Sequence, residues 1–259
     1  MRTWLVLFRK EWLELLRSYR LIWLPISFLV LGVSQPITAY FLPDILASSG
    51  GLPEDVVRSI PLPNASEVMA GSLQQFGTIG LLLLALSSMG AVSNERASGT
   101  AAMILVKPVS YLSFITAKWA SILAISWLSF AAGYVASWYY TVTLFGSVGG
   151  PSVIAGLLYF GLWLSFVGTL ALLFSSLLSS PAAAAFGSLA LAALLQVAAS
   201  SLPFEQPWNP GRLSQLAAGG LDAALSDGGS AWLTVAVTAT AIAAALYLAA
   251  RSLQGHSRS

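Results

Sequence analysis

With 259 residues, 57% of them hydrophobic and only 8% charged, the chain cannot clothe a water-facing surface, because soluble domains carry roughly 25% charged residues. A mean hydropathy of +0.79 reads as an integral membrane protein, and a net charge of +2 says nothing about partners. The absence of cysteine excludes disulfides, thiolate metal sites and cysteine nucleophiles together.

Arg2 to Arg20 predicts an amphipathic helix. At about 100° per residue, Trp4, Leu5, Phe8, Trp12, Leu15, Leu16 and Tyr19 fall within an arc of roughly 120°. Arg2, Arg9, Lys10, Glu14, Arg17 and Arg20 take the other side, while Leu7 and Leu13 break the pattern. Aromatic residues opposite a basic face describe a helix lying in the membrane–water interface, in contact with lipid. The stretch mixes acids with bases and no small-residue cleavage site follows it, so the mature chain is expected to begin at Met1.

Six apolar runs follow, at about 21–42, 72–93, 112–144, 152–178, 182–202 and 231–250. The fold expected is all-α, six transmembrane helices behind one interfacial helix, in a single domain spanning 1–259. The third run exceeds the roughly 20 residues that cross a bilayer, so it is tilted or emerges on one side. Polar segments at 43–71 and 203–230 are expected outside the cell, and 94–111 is expected to be a cytoplasmic loop. With the N-terminus inside, ten of the twelve Lys and Arg lie inside and seven of the ten acids lie outside. That asymmetry follows the positive-inside rule and puts both termini in the cytoplasm of a multi-pass cell-membrane protein.

The spans carry almost no chemistry. Lys118 sits at an inner edge, from which its amine is expected to snorkel. Ion-coupled transporters need carboxylates or histidine within the membrane, and the only histidine, His256, lies in the tail. No cluster of His, Asp or Glu suggests a metal or a catalytic dyad, so no enzyme activity and no bound cofactor are expected. Gln74, Gln75 and Gln196 are read as glue between helices. Nothing suggests a nucleic-acid partner. No lysine follows a glycine, so the chain has no P-loop. If it moves something uphill, a partner must supply the energy.

The N-terminal L-F-R-K-E-W-L-E-L-L-R-S (Leu7 to Ser18) resembles the interfacial elbow helix of the ABC-2 permease family, the membrane subunits of type-2 ABC exporters. N-E-R-A-S-G-T (Asn94 to Thr100), then K-P-V-S (Lys107 to Ser110) and A-K-W (Ala117 to Trp119), is similar to that family's signature between spans two and three. Tyr111 stands where the family usually has arginine. The resemblance implies an export permease driven through loop 94–111 by separate ATPase subunits, which would bind the ATP and Mg, with a second copy or homologue as dimer partner. Its expected coupling residues are Glu95, Arg96, Gly99, Thr100, Lys107 and Pro108. Its expected elbow residues are Trp4, Phe8, Lys10, Glu11, Trp12 and Arg17. Pro203, Pro207 and Pro210 suit the family's outer re-entrant helices.

The loop's own residues agree. Ser98 is able to cap a short helix, Glu95 suits a helix start, Gly99 allows a close backbone approach, and Lys107-Pro108 ends a helix. The competing readings are an energy-independent scramblase or carrier and a membrane-embedded enzyme. The substrate is not legible, although the acids from Asp44 to Glu67 would attract a cation.

Overall fold

The computed structural model describes residues 2–48, 63–98, 110–202, 206–221 and 230–256. In it, helix α1 (Arg2–Arg17) is parted from α2 (Arg20–Ser48) by a sharp turn at Ser18-Tyr19. Tyr19 takes a left-handed φ of 56°, a conformation that costs a non-glycine residue roughly 1–2 kcal/mol. Its carbonyl then accepts the amides of Ile22 and Trp23, both at 3.0 Å, which starts the next helix at once.

The second span begins at Ala65, earlier than hydropathy suggests. The Asn64 side chain accepts from the Glu67 amide and the Glu67 carboxylate accepts from the Asn64 amide, both at 2.9 Å. This reciprocal cap fixes a polar first turn that an apolar window cannot detect. The span runs as α3 (Ala65–Gln75), a π-helical turn (Phe76–Gly80), α4 (Leu81–Ser88) and, after a break, α5 (Ser93–Ala97). Helix α2 likewise continues through Pro43 to Ser48, so part of the expected outer segment 43–71 is helix.

The remaining helices are α6 (Tyr111–Phe145), α7 (Gly150–Leu177), α8 (Pro181–Ser201), α9 (Arg212–Gly219) and α10 (Ala231–His256). Six helices are long and apolar enough to cross a membrane, counting Ala65–Ala97 as one. The chain is thus all-helical among the described residues, six spans behind one amphipathic helix. At about 1.5 Å per residue, α6 reaches roughly 50 Å, well beyond a hydrocarbon core of roughly 30 Å.

Helix α7 lies at the centre, with residues 163–172 all buried. Helices α2 and α6 cross where two glycines meet. A Cβ on Gly32 would lie 2.0 Å from the Gly133 carbonyl oxygen, and one on Gly133 2.3 Å from that of Phe28. Small residues at such a crossing let backbones touch. Beside it Phe28 stacks on Phe76, and Phe130 meets Phe76 edge-on and Phe160 at a tilt, with ring centroids 5.0–5.5 Å apart.

After α8 the chain turns back on itself. Gln206 and Asn209 donate their side-chain amides to the carbonyls of Ala198 and Leu195 at 2.9 and 3.0 Å. Gly211 packs so tightly that a Cβ would lie 2.4 Å from the Leu195 oxygen. Helix α9 therefore returns alongside α8, as re-entrant chain would. Pro203 and Glu205 lie outside the described residues.

Candidate functional site: a charged joint at the elbow

The helix break at Met89–Val92 leaves backbone groups that a membrane protein has to satisfy from within. One hydroxyl of α7 serves them. Ser175 Oγ donates to the Met89 carbonyl at 2.7 Å and accepts the amides of Val92 and Ser93, both at 3.1 Å. This anchors the start of α5, whose first turn carries Glu95 and whose last carries Arg96.

Those two neighbours are held in different directions. Arg96 Nη1 donates to the Ser176 carbonyl at 2.7 Å, beside the C-terminal end of α7, where a helix dipole favours a cation. Glu95 Oε1 instead receives the Lys118 ammonium of α6 at 3.0 Å and the Lys10 ammonium of α1. Lys118 also pairs with Glu11 Oε1 at 2.9 Å, and Lys10 reaches Glu11 at 3.1 Å and Glu14 at 3.8 Å. Lys118 is 2% exposed, and its ammonium lies 5.1 Å from the centre of the Phe114 ring.

The expectation that Lys118 snorkels is thus corrected. Two carboxylates hold its amine inside, and a buried cation so paired has no reason to reach for water. Glu11, Glu14 and Glu95 offer oxygens within 4.8 Å of one another, a spacing that would suit a metal. The ammonium of Lys10 touches all three and so takes the place of such an ion. Burial disfavours the charged Lys10, but the hydrogen bond to Glu95 and the charges of Glu11 and Glu95 outweigh it and raise its pKa above the ordinary lysine value.

The network also fixes how α1 sits. The face turned to the bundle is Leu7, Glu11 and Leu15, on the seam between the apolar arc and the charged one. Leu7, which breaks the amphipathic pattern, is therefore a docking residue, packed in a cluster with Val92, Phe114 and Ile115. Trp4 donates to Thr116 Oγ1 at 3.1 Å and stacks on Phe8 at 5.4 Å, and Phe8 leans on Trp12 at 6.0 Å. Leu5, Leu16 and Arg17 remain exposed.

A family model described as "ABC-2 family transporter protein" matches residues 5–208. The chain belongs to the ABC-2 transporter family. It is also 38% identical over 217 residues, 84% of either chain, to the uncharacterized transmembrane protein YxlG of Bacillus subtilis (strain 168). ABC-2 permeases are typically non-catalytic transport subunits within ABC transporter systems that include ATPase partners, and this one is a multi-pass membrane protein.

In this ABC-2 protein the motif residues Lys10, Glu11, Glu95 and Lys118, far apart in sequence, meet at one point. Ser98 closes α5, with its hydroxyl donating to the Glu95 carbonyl at 3.3 Å. Gly99, Thr100, Lys107 and Pro108 lie outside the described residues. Tyr111 opens α6 behind the N-cap Ser110, whose hydroxyl accepts the Ser113 amide at 3.1 Å. Sequence reasoning missed Ser175, which no motif marks; the only available signal was that a break after Met89 must find a polar partner nearby.

Proposed function

We propose that the chain is the membrane-spanning subunit of an ABC exporter, driven through loop 94–111 by separate ATPase subunits. The observation that carries the reading is the seat of α5. A five-residue helix at the start of that loop is tied to α1 and α6 through Glu95 and to α7 through Arg96. A push on so well fastened an element moves three others with it, because packed joints displace as bodies and do not deform smoothly. The ATPase binds ATP and Mg and hydrolyses it; this chain binds neither. Two copies, or one copy and a homologue, line the path, with both termini in the cytoplasm of the cell membrane.

The test is co-purification from native membranes in mild detergent, followed by ATPase assay of the complex. A stoichiometric P-loop ATPase should co-elute, with hydrolysis stimulated several-fold by the permease. Replacing Glu95, Gly99 and Thr100 should abolish the stimulation. Transport by the chain alone in liposomes, with no ATPase present, would sink the reading.

A further inference from the structure

At the opposite end of the second span lies a cavity of about 570 Å³, walled by α3, the π-helical turn, α8, α9 and Phe160 of α7. Its polar lining is of an unusual kind for a membrane face. The side-chain amides of Gln74, Gln196 and Gln215 take no hydrogen bond from any described residue. By contrast, the neighbouring Gln75 exchanges two hydrogen bonds with Ser34 of α2, at 3.1 and 3.3 Å, and is the helix glue the sequence suggests. An amide that no described residue serves keeps its two donors and its acceptor for whatever occupies the cavity.

The backbone is also bent to the cavity's shape. The π-helical turn inserts an extra residue where Gly77 and Thr78 border the cavity, and such turns recur at functional positions. A Cβ on Gly77 would lie 3.5 Å from Gln196 Nε2 and 3.9 Å from the Phe160 ring, so this glycine keeps the wall open without being forced by a clash.

The hydrogen-bond inventory selects the ligand. Thr78, Ser200 and Ser214 each direct their hydroxyl hydrogen at a carbonyl of their own helix or turn. They therefore face the cavity as acceptors. Glu67 keeps one carboxylate oxygen beyond the one engaged by its cap. Among the described residues, no lysine, arginine or histidine lines the cavity. Acceptors and one negative charge, with only amide hydrogens as donors, repel an anion and favour a head group rich in N–H. Leu73, Phe160 and Val197 supply apolar wall for a tail. We infer that this cavity binds an amphiphile with a protonated amine head group. Its role as cargo rests on the permease reading; its existence as a site does not.

The experiment uses the full chain in phosphatidylcholine nanodiscs. Three probes share one alkyl chain with a dansyl group at its end, and differ in carrying an amine, an alcohol or a carboxylate. The amine should bind saturably and about tenfold tighter than either competitor. Gln74→Leu with Gln196→Leu should weaken it about tenfold, and Gly77→Leu, which fills the space, should abolish saturable binding while the thermal unfolding curve stays in place. Equal binding of all three probes, or binding untouched by these substitutions, would overturn the inference. An amine that binds as described but leaves ATP hydrolysis by the assembled complex unchanged would keep the site and remove its role in transport.

Discussion

The two ends of the second span solve the same problem in opposite ways. Around Glu95, charges have been brought out of water and nearly every one is paired: Lys118 by two carboxylates, Lys10 by three, Arg96 by a helix end. Around Gln74, roughly 30 Å away along the helix, uncharged amides face an open cavity and are served by no described residue. Within the charged cluster only Glu95 Oε2 is buried without a hydrogen-bond partner among the described residues, and a network so nearly complete is rigid and has little left to offer a ligand. An unsatisfied neutral one contributes little to the fold and keeps its hydrogen bonds for something else. The difference separates a mechanical joint from a binding surface within one helix.

The largest expected effect breaks the joint. Lys118→Met removes the buried one of the two cations that Glu11 and Glu95 share and leaves them only the part-exposed Lys10; losing one member of a buried pair costs about 3–5 kcal/mol, the upper bound here. Unfolding in mixed detergent micelles should show it as a loss of up to that size. The triple change Lys118→Met, Glu11→Gln, Glu95→Gln should recover most of it, since no buried charge is then stranded. A triple variant as unstable as the single one would mean that packing of the lysine stem, not charge pairing, holds α1 to α6.

Next comes Ser175→Ala. It orphans the amides of Val92 and Ser93 and the Met89 carbonyl, at about 1–3 kcal/mol for unsatisfied buried groups. The sharper readout is local: amide hydrogen exchange at Val92 and Ser93 should accelerate while that of α7 hardly changes.

Lys10 gives a smaller, pH-dependent effect. Its pKa is raised in the fold above the usual 10.5, so its pairing is fully present below that value and is lost as pH rises through the higher, folded value. Docking of α1, followed by Trp4 fluorescence, should therefore hold unchanged from pH 7 to pH 10 and loosen only beyond. Because Lys10 is 36% exposed, Lys10→Met should cost far less than Lys118→Met.

Much of this was legible in the sequence, and the gaps have definite causes. Six spans and the amphipathic helix follow from apolar runs and an arc, because burial in lipid acts on composition. The ends of the second span did not follow, because the Asn64–Glu67 cap is polar and adds helix beyond the apolar run. The motif residues Glu11 and Glu95 could be named, but not their meeting at Lys118, since a one-dimensional pattern carries no partner. The docking face of α1 was not legible for a related reason. The apolar arc marks what lipid and protein jointly cover, whereas Leu7 and Glu11 mark the protein alone. The cavity was hidden because Gln74 and Gln75 look alike on paper, and only the neighbour each one faces distinguishes them.

That adjacent pair gives the finest test of the comparison. Gln75 bonds to Ser34 across two spans, and interhelical hydrogen bonds in membranes average about 0.6 kcal/mol. Gln75→Leu should cost about that much in the same micelle assay and leave amine binding in place. Gln74→Leu removes no hydrogen bond to a described residue, so stability should be unchanged or slightly raised while amine binding weakens. The two substitutions alter the same atoms at consecutive positions of one helix, so composition, propensity and hydropathy cancel between them. If both destabilise equally and both spare binding, the cavity wall is ordinary packing surface and the two ends of the span do not differ in kind. If the effects cross as described, with stability lost at Gln75 and binding lost at Gln74, one residue step divides the structural side of this helix from its ligand side.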